Sequence, residues 1–195
     1  ELTQAGAAPK LMPPKRSSVR AFMAIDAATR AALEIERSNS MSIGRGGREG
    51  SLLGCVDRTV TAAGVRMLSE RIARPLTDAA AINARLDAVE FFLTEKDRRR
   101  GVREELRAAG DLARALTRLV LGRGGPRDLA QLRDGLSAGE RASARVLGLS
   151  GERPAEIVRA GEALALASHA ECSAFAQTLE RALAPVIEES LKAAF

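Results

Sequence analysis

Pro75 divides the most constrained stretch of the chain, Gly47 to Phe92, which reads as a short apolar turn followed by two helices. Behind Thr61, the residues Val65, Leu68 and Ile72 fall on one helical face. Pro75 ends that run, because it has no N–H to donate and pushes Arg74 away from helical angles. Thr77 and Asp78 then offer side-chain oxygens to the free N–H groups of the next helix. There Ile82, Leu86, Val89 and Leu93 repeat at i, i+4, i+7 and i+11, which predicts a second face to bury. The pair makes an αα unit whose stripes need each other or a third helix.

The rest of the chain continues the helical pattern. Residues 1–20 hold Pro9, Pro13 and Pro14 among scattered cations and read as a linker. Ala21 to Ile25 is a short apolar run suited to a strand or an extended lead-in, and Asp26 caps a helix to about Glu36. Arg37 to Gly50 is a loop by composition. Glu95 to Arg100 is a charged connection whose cations read as helix surface, since no aromatic interleaves them. Val102 to Leu121 traces one amphipathic helix with Gly110 inside it, and Gly122 to Gly125 stops it. Pro126 suits the first position of the next helix and Asp128 its positive end. Leu129, Leu132 and Leu136 give that helix its stripe. Pro154 opens another helix, with Ile157, Leu164 and Ala165 on one side. A last helix, Glu171 to Phe195, is kinked at Pro185. The domain reading is a linker over 1–20, a helical core over 21–150 and a helical extension over 151–195.

Composition narrows the class. Aromatics are only 3% of the 195 residues, and much of the 46% hydrophobic fraction is alanine. Helices packed closely through small side chains fit that balance; a β-sandwich does not. The fold class is therefore all-α, a multi-helix bundle with at most one or two short strands near the N-terminus. The formal charge of +5 is uneven: residues 151–195 carry four basic residues against seven glutamates, which leaves +8 on the first 150. A polyanion would be met by the earlier part. No run of about 18 apolar residues and no signal-peptide core occurs, so a cytoplasmic protein without a membrane span is expected. The chain begins with Glu and reads as an excerpt of something longer.

A search for chemistry ends empty. Cys55 and Cys172 have no metal spacing and read as buried free thiols. His169 is the only histidine and lacks the partners of a triad or metal site. The glycines of the 37–50 loop do not match a P-loop, which needs G-x-x-x-x-G-K-[ST]. Arg37, Arg45 and Arg48 of that loop are candidate contacts to DNA phosphates, the alternative being ordinary surface arginines. No catalytic, metal or cofactor-binding residue is assigned.

Three ordered blocks carry a resemblance. The first is Met23-Ala24-Ile25-Asp26-Ala27-Ala28-Thr29-Arg30 with Leu33-Glu34. The second is Asp57-Arg58-Thr59-x-Thr61-Ala62-x-Gly64-x-Arg66-x-Leu68, then Arg74-Pro75-Leu76 and Ile82-x-x-Arg85-Leu86-Asp87-Ala88-Val89-Glu90. The third is Asp111-Leu112-x-Arg114, Leu121-Gly122-Arg123 and Pro126-Arg127-Asp128-Leu129. Together they resemble the core domain of the MutS family of DNA mismatch-repair proteins, with the start of its lever. The resemblance makes Asp57, Thr59, Gly64, Pro75, Asp87, Pro126, Arg127 and Asp128 structural motif residues. It implies a hub between working parts that lie elsewhere in such proteins: a mismatch-reading domain with a Phe-x-Glu motif, DNA clamps, and a P-loop ATPase using ATP and Mg2+. It also implies mismatched duplex DNA as partner, a homodimer, a MutL-type partner and a bacterial cytoplasmic setting. The alternative reading is a self-standing basic helical module that binds nucleic acid or a protein directly.

Overall fold

The longest helix is the axis of the molecule, and the other late helices are laid along it. The structure, a computed structural model, describes residues 21–39, 47–148 and 151–183. In chain order the helices are α1 (Ala27–Ala32), α2 (Leu52–Val56), α3 (Ala62–Ala73), α4 (Ala79–Thr94), α5 (Lys96–Ala108), α6 (Leu112–Val120), α7 (Pro126–Leu147), α8 (Ala155–Leu164) and α9 (Ala170–Ala182), with a 3-10 turn at Leu166–Ser168. The 22 residues of α7 span about 33 Å, and α5, α6, α8 and α9 all pack on it. Among the described residues the only β pairing is a single antiparallel bridge, Phe22 with Leu76. The all-α expectation holds.

Small residues explain how four helices share one partner. The buried side of α7 is Leu132, Gly135, Ala138, Gly139, Ala142, Ser143 and Val146. A Cβ on Gly135 would overlap Leu112 Cδ2 and come within 2.7 Å of the Ala109 carbonyl oxygen, so glycine lets α6 close down. At the α6 and α9 end the core is Ala115, Leu132, Leu179 and Leu183, bordered by Leu112, Leu119 and Leu129. At the other end the Ser143 hydroxyl donates to the Gly161 carbonyl at 2.8 Å and ties α8 to α7.

Several helix starts follow their local chemistry. Asp26, Thr61 and Asp78 accept from the backbone N–H three residues on. Pro126 occupies the first position of α7, and Asp128 accepts from the Gly125 N–H at 2.9 Å. Pro75 ends α3 as expected. Its carbonyl accepts from the Met23 N–H, so the extended lead-in lies against the α3–α4 joint, with Arg74 over the Phe22 ring at 4.4 Å.

Other expectations need correction. The helix begun at Asp26 stops at Ala32, not Glu36, because Glu34 turns left-handed (φ 48°). The Glu34 and Ile35 carbonyls then receive the Leu52 and Leu53 N–H groups of α2, so that turn is fixed from a distance. The expected apolar turn before Asp57 is itself helical, as α2. Val102 to Leu121 is two helices, since Gly110 adopts φ +64°, which residues with a side chain rarely adopt, and Asp111 caps a fresh start at Leu112. Glu95 to Arg100 is mostly the first turn of α5 and not a connection. Cys55 and Cys172 are exposed, the inward positions of their helices being held by Leu53 and by Ala176 and Leu179. Pro185 lies outside the described residues.

The largest correction concerns α4. Ile82, Leu86, Val89 and Leu93 are 37%, 57%, 55% and 58% exposed, so the stripe faces solvent. The half-buried positions are Ala81, Arg85, Ala88 and Phe92, one residue earlier along the same repeat, together with Phe91, and α4 rests through α5 and α8. On α3, Val65, Leu68 and Ile72 are half-buried.

Candidate functional site

Seven of the eight motif residues lie at joints between helices, and Asp87 stands in the middle of α4. At the α2–α3 joint one Asp57 oxygen accepts the Thr59 N–H at 2.9 Å and the Thr59 hydroxyl at 2.7 Å. The other oxygen takes Arg48 at 3.0 Å. The Gly64 N–H donates to the Thr61 hydroxyl, and a Cβ at Gly64 would sit 2.9 Å from that oxygen, so the cap is tight against its glycine. Pro75 marks the α3–α4 joint. Asp87 is exposed on α4 and makes no ion pair among the described residues. At the α6–α7 joint Asp128 takes Arg118 at 3.1 Å besides capping Gly125, while Arg127 is exposed.

Longer links brace these joints. Arg66 on α3 holds Asp111, the cap of α6, at 3.2 and 3.1 Å across 45 positions of sequence. Arg71 reaches Glu156 at the start of α8 at 2.9 Å. Glu105 on α5 takes both Arg141 and Arg145 of α7, at 2.6 and 2.8 Å. None of these links was foreseen, because spacing along the chain carries no trace of a pair so far apart.

Asp57, Glu105, Asp111 and Asp128 are held in their charged form. The Thr59 hydroxyl and N–H keep Asp57 below the usual carboxylate range, with Arg48 adding to it. Arg66 lowers Asp111, the Gly125 N–H and then Arg118 lower Asp128, and Arg141 with Arg145 lowers Glu105. A pKa depressed on folding gives stability that is present above the unfolded value, near pH 4, and lost as pH falls through the folded one. The melting temperature is therefore expected to be flat between about pH 7 and 5 and to fall below about pH 4. Thermal melts followed by circular dichroism check this. An unchanged or rising melting temperature in acid would show that the bonds do not hold the joints.

Among the described residues no group of three His, Cys, Asp or Glu is placed to hold a metal. His169 is exposed and caps nothing with its side chain. Of the candidate phosphate contacts, Arg37 and Arg48 are both exposed at one shallow surface cavity, shared with Glu36, Arg66, Ser69 and Glu70. Arg45 lies outside the described residues. A cavity with acids on its rim and two arginines already paired, Arg48 with Asp57 and Arg66 with Asp111, offers anchoring, not a convergent reactive set. No helix among the described residues is long and apolar enough to cross a membrane.

Comparison with known proteins shows which family the chain is similar to. The family model described as MutS domain III matches residues 28–193. The chain is 51% identical over 188 residues to the DNA mismatch repair protein MutS of Caulobacter vibrioides, covering 95% of this chain and 20% of that protein. It is 52% identical to the protein of the same name from Rhodopseudomonas palustris, covering 92% of this chain and 19% of the relative. The Nitrobacter hamburgensis protein of that name is also 52% identical, over 83% of this chain and 17% of its own length. The chain thus spans about a fifth of the length of the curated relatives it matches.

Proposed function

The chain belongs to the MutS family of DNA mismatch-repair proteins, within its domain III, and from that premise we propose that it is the mechanical hub of a longer repair protein. Its work is to couple the state of bound ATP and Mg2+ at one end to the grip on mismatched duplex DNA at the other, both held by other domains. Residues 21–150 form the core in this reading and 151–195 the start of the lever. The whole protein works as a homodimer in the bacterial cytoplasm, with a MutL-type partner downstream.

One observation carries the reading: the apolar stripe of α4 stands in solvent while the joints around it are braced by ion pairs. Such a face suits a part whose neighbours come from elsewhere in the protein. Coupling of this kind needs a rigid body with few internal adjustments, and the α6–α7 contact through Gly135 provides one.

The test is Gly135→Ala in a full-length family protein with this domain. The added methyl forces α6 from α7 near Leu112 without touching DNA or nucleotide. ATP-triggered release from a mismatched duplex is expected to change about fivefold or more, the lower end of usual coupling free energies. ATP turnover without DNA and mismatch affinity without ATP should stay close to wild type. Unchanged release in a variant whose melting point has dropped would sink the proposal. ATP turnover by the 195-residue chain alone would do the same.

A further inference from the structure

We infer that the outer face of α5 is a binding stripe for the phosphate backbone of duplex DNA. Lys96, Arg99, Arg100, Arg103 and Arg107 lie at i, i+3, i+4, i+7 and i+11, so they line one side of the helix. That side is opposite the one that packs on α7, where Gly101 faces Arg145 and Glu105 takes Arg141 and Arg145. Lys96, Arg100 and Arg107 are exposed there, and Arg99 and Arg103 are half-buried. All five cations line a single surface cleft together with Asp97.

Their charge is not spent inside the protein. Arg99 donates to the Phe92 carbonyl at 3.0 Å and Arg103 to the Arg58 carbonyl at 2.8 Å; both acceptors are neutral, so the two guanidinium groups are positioned but not neutralised. Lys96 and Arg107 make no ion pair among the described residues. Arg100 meets Asp97 at 2.8 Å, but the two are 70% and 88% exposed, where such a pair is weak. Elsewhere Arg66, Arg71, Arg118, Arg141 and Arg145 each face a carboxylate on another element.

The arrangement works against the helix that carries it. Lys96 with Arg100, Arg99 with Arg103 and Arg103 with Arg107 are like charges four apart, which destabilise a helix, and only Asp97 and Glu104 offset them from the edge of the stripe. Lys96 also sits at the positive end of the helix dipole. A polyanion removes both penalties. The stripe runs about 16 Å from Lys96 to Arg107, and one DNA strand offers about five phosphates over that length of duplex. No aromatic side chain lies on the stripe, which favours a duplex over a single strand whose bases would need stacking. The inference extends the proposed hub by giving it a DNA contact of its own, and rests on that reading only for the choice of DNA as the polyanion.

The experiment measures binding of the 195-residue chain to a short fluorescent duplex over about 50 to 200 mM KCl. Wild type should bind matched and mismatched duplexes alike, with affinity falling as salt rises. The triple variant Lys96→Ala, Arg100→Ala, Arg107→Ala, which spares the two arginines bonded to carbonyls, should flatten the log–log salt slope by about 2.7. Wild type would then lose about 40-fold more affinity than the variant across that range. The variant Arg100→Lys, Arg107→Lys should keep the wild-type slope. Three results would overturn the inference: no binding by wild type at the lowest salt, a wild-type slope in a triple variant of unchanged helicity, or a slope lost instead through Arg37→Ala with Arg48→Ala. Competition by polyglutamate at charge concentrations where a second duplex does not compete would also overturn it, in favour of an acidic protein. Nucleotide is absent from every arm, so failure here leaves the ATP-triggered release test intact.

Discussion

Leu132→Ala is expected to destabilise the chain by about 2–5 kcal/mol, a large share of the roughly 5–15 kcal/mol that holds a domain together. Leu132 is 6% exposed and packs with Ala115, Leu179 and Leu183, inside a border that includes Leu112, Leu119 and Leu129. Most of the buried face of α7 is glycine, alanine and serine, so this leucine supplies a disproportionate part of its apolar burial. The site cannot collapse easily around a cavity. The joint before α7 is fixed by Asp128 on Gly125 and Arg118, and Arg133 donates to the Leu183 carbonyl at 3.3 Å. Urea unfolding should show a lower midpoint at unchanged slope. Leu132→Met should cost less than about 1.5 kcal/mol. An alanine variant within about 0.5 kcal/mol of wild type would mean that α9 does not pack on α7 through Leu132.

What could be foretold divides by distance along the chain. The caps at Asp26 and Asp78 and the place of Asp128 at the start of α7 are exchanges between neighbours three residues apart, so residue type alone announces them. The Thr61 cap is of the same kind but was not foreseen. The end at Glu34 was missed because remote groups decide it, whereas the break at Gly110 is local, a positive-φ glycine followed at once by the Asp111 cap. Glu34 is turned by the start of α2. Arg66 with Asp111 and Arg71 with Glu156 are in the same class. The cations of α5 were visible as letters. That most of them meet no carboxylate became visible only once the folded positions of the acids were known. The motif residues were singled out for their resemblance to a family, and the places of seven of them at the joints give that resemblance a physical content.

The stripe of α4 gives the sharpest contrast between this chain and a protein that contains it. Periodicity correctly found an apolar face at Ile82, Leu86, Val89 and Leu93, but a repeat says nothing about what covers it. Here the four side chains are 37–58% exposed. Leu86→Glu with Val89→Glu should therefore change the stability of the 195-residue chain by no more than about 0.5 kcal/mol per site. In a full-length relative carrying the same pair the expected loss is about 3–5 kcal/mol, since a carboxylate without a partner would be forced beneath a covering domain. The apolar gain given up adds about 1.5–3 kcal/mol for the pair, because fully burying a leucine or valine is worth about that much and roughly half of each is still outstanding here. Paired thermal melts of the two proteins read the difference directly. Equal and small effects in both would mean that the stripe stays in water throughout, and the hub would lose the face by which its neighbours hold it.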